Sequence, residues 1–266
     1  VMAFVMAFIL KVGEIFAFVG LLLFLGIMLY RSSRKHKQKV KDEAEIRSLR
    51  KEDIGTVTDM ITESSAQISK VFRKTSALYS NLIDNLSLQD LAKLKENKKD
   101  QKKLEKEIDE LKSNVFYFIK NLDDNSVEAS KFYILILGYL QDMVQSIDFI
   151  TANSYSHVAN NHKQLKFNQI RDLKTIDKQL QHLLQLLEDS FKSEDFYRID
   201  LILNDKEILL ETVSELISKQ IKRIRTTETS PKNSKLYFAL LLETNDLVKS
   251  IMNLLELFKE FNKLNK

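Results

Sequence analysis

The sequence predicts an all-α protein: an N-terminal transmembrane hairpin, cut short as a fragment, followed by a tandem of two three-helix units. Three observations predict it. Residues 1–30 are almost unbroken apolar residues. Beyond Asp42, apolar residues recur at intervals of three and four nearly to the end of the chain. Two stretches of the later sequence also repeat each other at polar as well as apolar positions.

Composition narrows the classes. The 266 residues include five glycines, one proline (Pro231), no cysteine and no tryptophan. So little Gly and Pro disfavours turn-rich β architectures. Without cysteine there are no disulfides or thiolate metal sites, and the composition fits a reducing compartment. The net charge of +4 is local rather than spread, so no nucleic-acid partner is indicated. The chain starts at Val1 rather than Met, and the apolar run is expected to be the end of a longer membrane domain. It lacks the basic start and small-residue cleavage site of a secretory signal.

Val1 to Leu10 is apolar throughout, Lys11, Gly13 and Glu14 interrupt, and Ile15 to Tyr30 is again apolar or Gly. Val12 to Tyr30 spans roughly 28 Å as a helix, enough for the hydrocarbon core. A single long kinked helix would place Lys11 and Glu14 within the bilayer, at ~2.5–3.5 kcal/mol for a charge at its centre. A hairpin turning at KVGE avoids that. Arg31, Arg34, Lys35, Lys37, Lys39 and Lys41 follow at once. Such a cluster is retained on the cytoplasmic side and anchors the span at the lipid surface. Residues 1–30 are thus expected in the inner membrane, 31–53 as a basic linker, and everything after about 31 in the cytoplasm.

The first unit is expected over 54–153. Ile54, Val57, Ile61, Ile68, Val71, Phe72, Leu78, Leu82 and Leu86 mark one buried face of its first helix. A second helix begins near Ser87. It has no apolar residue between Leu94 and Leu104, which predicts a solvated face or protruding tip, and resumes at Ile108, Leu111, Val115 and Ile119. Asp123 to Ser126 form a turn and cap cluster. A third helix runs from Val127 to about Asn153. The polar stretch 154–168 is expected to link the halves.

The second unit, 169–266, opens with a fourth helix carrying Ile170, Leu173, Ile176, Leu180, Leu183, Leu184, Leu187 and Phe191 on one side. A fifth is expected from about Asp195 to Arg225, a break at Pro231, and a sixth from about Asn233 onward.

The repeat sets SKFYILILGYLQDMVQSI, from Ser130, over SKLYFALLLETNDLVKSI, from Ser234, without a gap. Tyr133 matches Tyr237, Asp142 matches Asp246, and Ser146 matches Ser250. ELKS at Glu110 echoes ELIS at Glu215 with one residue of drift. Amphipathic helices share apolar positions by periodicity alone, but shared Ser, Lys, Tyr and Asp exceed that.

NVFYFIKNLDDNSVEASKFYILILGYLQDMVQSIDFIT, HVANNHK, QIKRIR and NSKLYFALLLETNDLV resemble the C-terminal extension of PiT-type inorganic phosphate transporters, in which a cytoplasmic PhoU-like domain follows a membrane domain. The resemblance covers almost the whole chain. It implies a PhoU-like tandem of two three-helix bundles in a parent protein that takes up phosphate with a coupling cation, sodium or proton. The family's Gly-Ala-Asn-Asp type transport signature is absent from this sequence, so those sites are expected upstream of Val1. PhoU proteins carry ExxxD metal motifs. Where they are expected, this chain has Gln141 and Gln145 in one copy and Asn245 and Lys249 in the other, which implies a lost or weakened metal function. The partners implied are membrane lipid, the membrane domain of the same polypeptide and, as a further candidate, a second copy of the chain.

The residues offer few other sites. Glu96/Asp100 and Glu105/Asp109 fit ExxxD but sit among lysines and read as intrahelical ion pairs. His157 and His162 are five apart; on a straight helix they diverge, so as weak metal candidates they must meet in a loop. Lys219, Lys222, Arg223 and Arg225 form a candidate anion patch or a favourably charged helix C-terminus. No phosphate-cradling glycine loop, nucleophile elbow or HExxH occurs, and no enzyme, cofactor or resident metal is expected. The competing readings are a membrane-tethered signalling rod or scaffold unrelated to transport.

Overall fold

The computed structural model describes residues 57–120, 127–194, 199–226 and 230–264. The expected hairpin, the basic cluster from Arg31 to Lys41 and the turn at Asp123 to Ser126 lie outside them. The described residues form a helical bundle: α1 (Val57–Ser87), α2 (Leu91–Lys120), α3 (Val127–Ala159), α4 (Phe167–Ser193), α5 (Ile199–Thr226) and α6 (Pro231–Leu264). Among them no helix is long and apolar enough to cross a membrane. The described residues, from Val57 onward, cluster as one compact unit.

The turns follow from local chemistry. At the end of α1, Gln89 takes a left-handed φ of 55°. Asp90 N–H then reaches Asn85 O at 3.0 Å and Gln89 N–H reaches Leu86 O at 3.2 Å, the paired bonds of a Schellman stop. Asp90 also starts α2, its carboxylate accepting from Lys93 N–H at 3.0 Å. α3 stops the same way: Asn161 has φ 53°, with His162 N–H on His157 O and Asn161 N–H on Val158 O. The break expected around Pro231 separates α5 from α6, and Pro231 itself is the first residue of α6, where its missing N–H costs no helical bond and its fixed φ suits the start.

One expectation changes and another is narrowed. α3 does not end near Asn153 but continues through Ala159, because Ser154, His157 and Val158 keep the buried spacing across residues that looked helix-weak. The connection therefore narrows to 160–166. Of the two forms expected for the charged middle of α2, the structure has the solvated face, with Lys95, Glu96, Lys99, Asp100, Lys102 and Lys103 exposed, and not a protruding tip. Leu94, Asn97, Gln101, Leu104 and Ile108 form one buried stripe, with amides holding the places where apolar residues are missing.

α1, α2 and α3 pack on one another; α4 packs on α5, and α5 on α6. The two groups meet where α1 lies along α4 and α3 along α6. Each of these pairs is antiparallel: Phe72 meets Phe191 while Asp84 meets Lys174, and Phe132 meets Phe258 while Asp142 and Ser146 share a groove with Asp246 and Ser250. Phe191 also meets Phe258 edge-on, with centroids 4.7 Å apart. Four phenylalanines therefore form a chain from α1 through α4 and α6 to α3. Burying each is worth ~1.5–3 kcal/mol, with a further ~0.5–1.5 kcal/mol per edge-on pair.

Candidate functional site

The repeated helices bury and expose many of the same repeat positions. On α3, Phe132, Ile136, Leu140, Met143, Val144, Ser146, Ile147 and Ile150 are buried; on α6, so are Leu236, Leu240, Thr244, Leu247, Val248, Ser250, Ile251 and Leu254. Lys131, Gly138, Asp142, Gln145 and Phe149 are exposed, and so are Lys235, Leu242, Asp246, Lys249 and Asn253. The match holds at these positions, but Tyr133, Leu137 and Asp148 are only half-buried where Tyr237, Leu241 and Met252 are buried.

Where the two helices run side by side they enclose an open groove of about 290 Å³, lined by Asp142, Gln145, Ser146, Phe149, Glu243, Asp246 and Ser250. Asp142 and Asp246 are one repeat pair, and Ser146 and Ser250 another. Two of the repeat's shared polar pairs thus converge on one surface. Lys249 Nζ stands 3.2 Å from Asp246, and Ser250 Oγ donates to Asp246 O at 3.1 Å. Burial first, and then the charge of Asp246, raises the Glu243 carboxyl above its usual range. Such a groove offers carboxylates and hydroxyls beside the aromatic face of Phe149, which suits contact with a polar or basic surface. Among the described residues, no three His, Cys, Asp or Glu side chains are placed to hold a metal ion.

The candidate anion patch has a different role. Asp172 on α4 is buried, and Arg223 Nη2 meets its Oδ2 at 2.8 Å while Lys219 Nζ meets Oδ1 at 3.1 Å. Tyr237 donates its hydroxyl to the same carboxylate at 3.2 Å. Two members of the patch therefore neutralise an internal acid instead of facing an anion. Lys222 and Arg225 remain on the exposed side of α5. Gln220, fully buried, donates to Ser234 Oγ at 3.1 Å and accepts from Gln169 at 3.3 Å, extending the polar core across α4, α5 and α6. Burial, followed by the charge of Asp172, raises the Tyr237 phenol well above its ordinary value, so it remains a donor. Its repeat partner Tyr133 is half-buried against Phe132, with centroids 6.0 Å apart.

Asp172 was not singled out in the sequence. A signal was present: Gln169, Asp172, Leu173 and Ile176 occupy the spacing of one buried stripe, and an acid on such a stripe needs a cationic partner. Asp177 is a second case, 4% exposed, accepting from Ser80 Oγ at 3.3 Å and Gln181 Nε2 at 2.9 Å between α1 and α4.

His157 and His162 do meet, with ring centroids 5.2 Å apart. His157 sits in the last turn of α3, and the left-handed Asn161 folds His162 back onto it. This is the side-chain contact that accompanies a Schellman stop. His157 Nε2 donates to Lys163 O at 2.9 Å, so the neutral ring already has a structural use. Burial lowers its pKa below the ordinary 6.5. The ExxxD acids behave as surface groups: Lys103 pairs with Asp100 at 2.7 Å and Lys112 with Asp109 at 3.4 Å.

No protein-family model matches the chain, and no curated protein matches it.

Proposed function

We propose that this chain is the C-terminal part of an inorganic phosphate transporter of the inner membrane, and that residues 57–266 form its cytoplasmic PhoU-like regulatory domain, which works by contact with the membrane domain of the same polypeptide. The observation that carries this reading is the agreement of α3 and α6 in burial at many repeat positions, together with the convergence of Asp142, Ser146, Asp246 and Ser250 on one groove. A duplicated three-helix unit explains both. It also explains why α1 lies along α4 and α3 along α6: a local two-fold relation brings equivalent helices together.

The membrane sites for phosphate and its coupling cation belong upstream of Val1 in this reading. The bundle contributes differential contacts to two transporter states and so biases their populations. Deleting Asp42 to Lys266 from the full-length protein is expected to change phosphate uptake, in rate, affinity, regulation or protein level. Uptake and abundance unchanged in all four respects would overturn the proposal and favour a tethered scaffold.

A further inference from the structure

One end of the bundle gathers the α1–α2 turn, the connection 160–166, the last turn of α5 and the first turn of α6. Gln164 ties them: its Nε2 donates to Ser87 O at 2.6 Å, and its carbonyl accepts from Asn233 Nδ2 at 2.8 Å. This end exposes large apolar side chains that the fold does not use. Phe167 is 82% exposed, Leu88 69%, Ile224 46% and Leu91 42%. The contrast within one loop is informative. Leu165 is 4% exposed and packs into the core at the entry to α4, whereas Phe167, two residues later, points outward. Exposed apolar groups gathered on turns mark an interaction surface.

The charge around them is positive. Lys93, Lys163, Arg171, Arg225 and Lys232 are all exposed here. Three of the acids at this end are engaged: Asp90 caps α2, Asp84 meets Lys174, and Asp172 is buried under Arg223 and Lys219. Among the described residues Glu96 is an exposed acid at this end. Apolar tips ringed by long cationic side chains complement an anionic bilayer surface: the tips enter the headgroup region while the cations meet lipid phosphates.

We infer that this end of the bundle docks on an anionic membrane surface, with Leu88, Leu91, Phe167 and Ile224 entering it and the surrounding lysines and arginines binding its headgroups. The inference stands on this surface alone and does not depend on the transport reading.

The absence of cysteine allows a single reporter to be introduced. In the full chain, Ala92→Cys places an environment-sensitive fluorophore on an exposed position between Leu91 and Lys93; Ser113→Cys places one on an exposed position further along α2. The chain is reconstituted with vesicles of phosphatidylcholine, with or without phosphatidylglycerol, carrying a quencher on the acyl chains. The label at residue 92 is expected to be quenched at least about two-fold more strongly when phosphatidylglycerol is present, while the label at 113 is not. Leu88→Ser with Phe167→Ser, or Lys93→Glu with Lys163→Glu, should abolish the difference while leaving helicity by circular dichroism intact. Equal quenching at the two positions, or quenching indifferent to anionic lipid, overturns the inference. So does shielding of residue 92 that grows with protein concentration in the absence of lipid, which would assign the surface to a second copy. Docking observed alongside unchanged phosphate uptake on deletion would remove the transport reading and leave this one standing.

Discussion

Arg223 Nη2 stands 2.8 Å from Asp172 Oδ2, and the carboxylate it meets is almost wholly buried. Removing Arg223 leaves the buried carboxylate with Lys219, itself half-exposed, and the Tyr237 hydroxyl as its partners, a loss of about 1–3 kcal/mol. Arg223→Ala is therefore expected to lower the thermal midpoint of the chain in detergent, followed by circular dichroism. Adding Asp172→Asn to that variant should recover part of the loss, since the under-compensated charge disappears. No recovery would mean that Arg223 stabilises by packing rather than by pairing.

Tyr79 on α1 and Thr244 on α6 meet at 2.8 Å in the core. The Thr244 hydroxyl already donates to Leu240 O at 2.7 Å, so Tyr79 is the donor between them. Burial pushes the Tyr79 phenol well above its usual range, so it retains that proton. Thr244→Val strands a buried hydroxyl at ~1–3 kcal/mol. Tyr79→Phe combined with Thr244→Val should cost less than the two single losses added together. A double-mutant cycle in urea checks this; strict additivity would deny the contact.

Gln101 is fully buried, and neither atom of its amide has a hydrogen-bond partner. Replacing an unsatisfied buried amide with an apolar group of similar size removes a desolvation penalty of ~1–3 kcal/mol. Gln101→Met is expected to raise the thermal midpoint. A lower midpoint would show that the amide does have a partner, such as an ordered water.

His157 gives a pH dependence of known sign. Burial lowers its folded pKa below the ordinary 6.5, so the unfolded chain binds the extra proton first. Its contribution is complete above about pH 6.5, falls as the pH drops below that, and is gone beneath the depressed folded value. His157→Gln should flatten the fall in thermal midpoint between about pH 7.5 and about pH 5. An unchanged slope would show that the ring does not titrate with unfolding.

The repeat predicts matched sensitivities. Val144 and Val248 are buried at equivalent places, whereas Gln145 and Lys249 are exposed. Val144→Ala and Val248→Ala should each destabilise by about 1–3 kcal/mol, and Gln145→Ala and Lys249→Ala by under about 0.5 kcal/mol. Denaturant titrations that rank a surface change above its buried neighbour would break the equivalence.

Much of the bundle was legible in residue spacing. Leu173, Ile176, Leu180, Leu183, Leu184, Leu187 and Phe191 were placed on the inner face of α4, and all are buried. The boundaries were less legible: α3 runs past Asn153 because Ser154 and His157 serve as core residues, and a polar residue looks like a helix end until its partner is known. Asn97 and Gln101 hid the buried stripe of α2 for the same reason. The groove is half visible in the sequence, which pairs Asp142 with Asp246 but does not bring them to one place. The patch at Lys219 and Arg223 was visible as charge but not as a counter-charge to Asp172, which lies on another helix.

The sequence by itself determined the helical class, the inward face of each helix and the repeat of α3 in α6, because helical period and residue chemistry act over a few neighbouring residues. Only the tertiary structure decided which faces meet, that Asp172 spends Lys219 and Arg223, that the Schellman stop at Asn161 brings His157 to His162, and that Phe167 is left outside while Leu165 goes in. Those outcomes depend on contacts between residues far apart along the chain, where buried charge and shape must be satisfied together, and no local pattern records the partner.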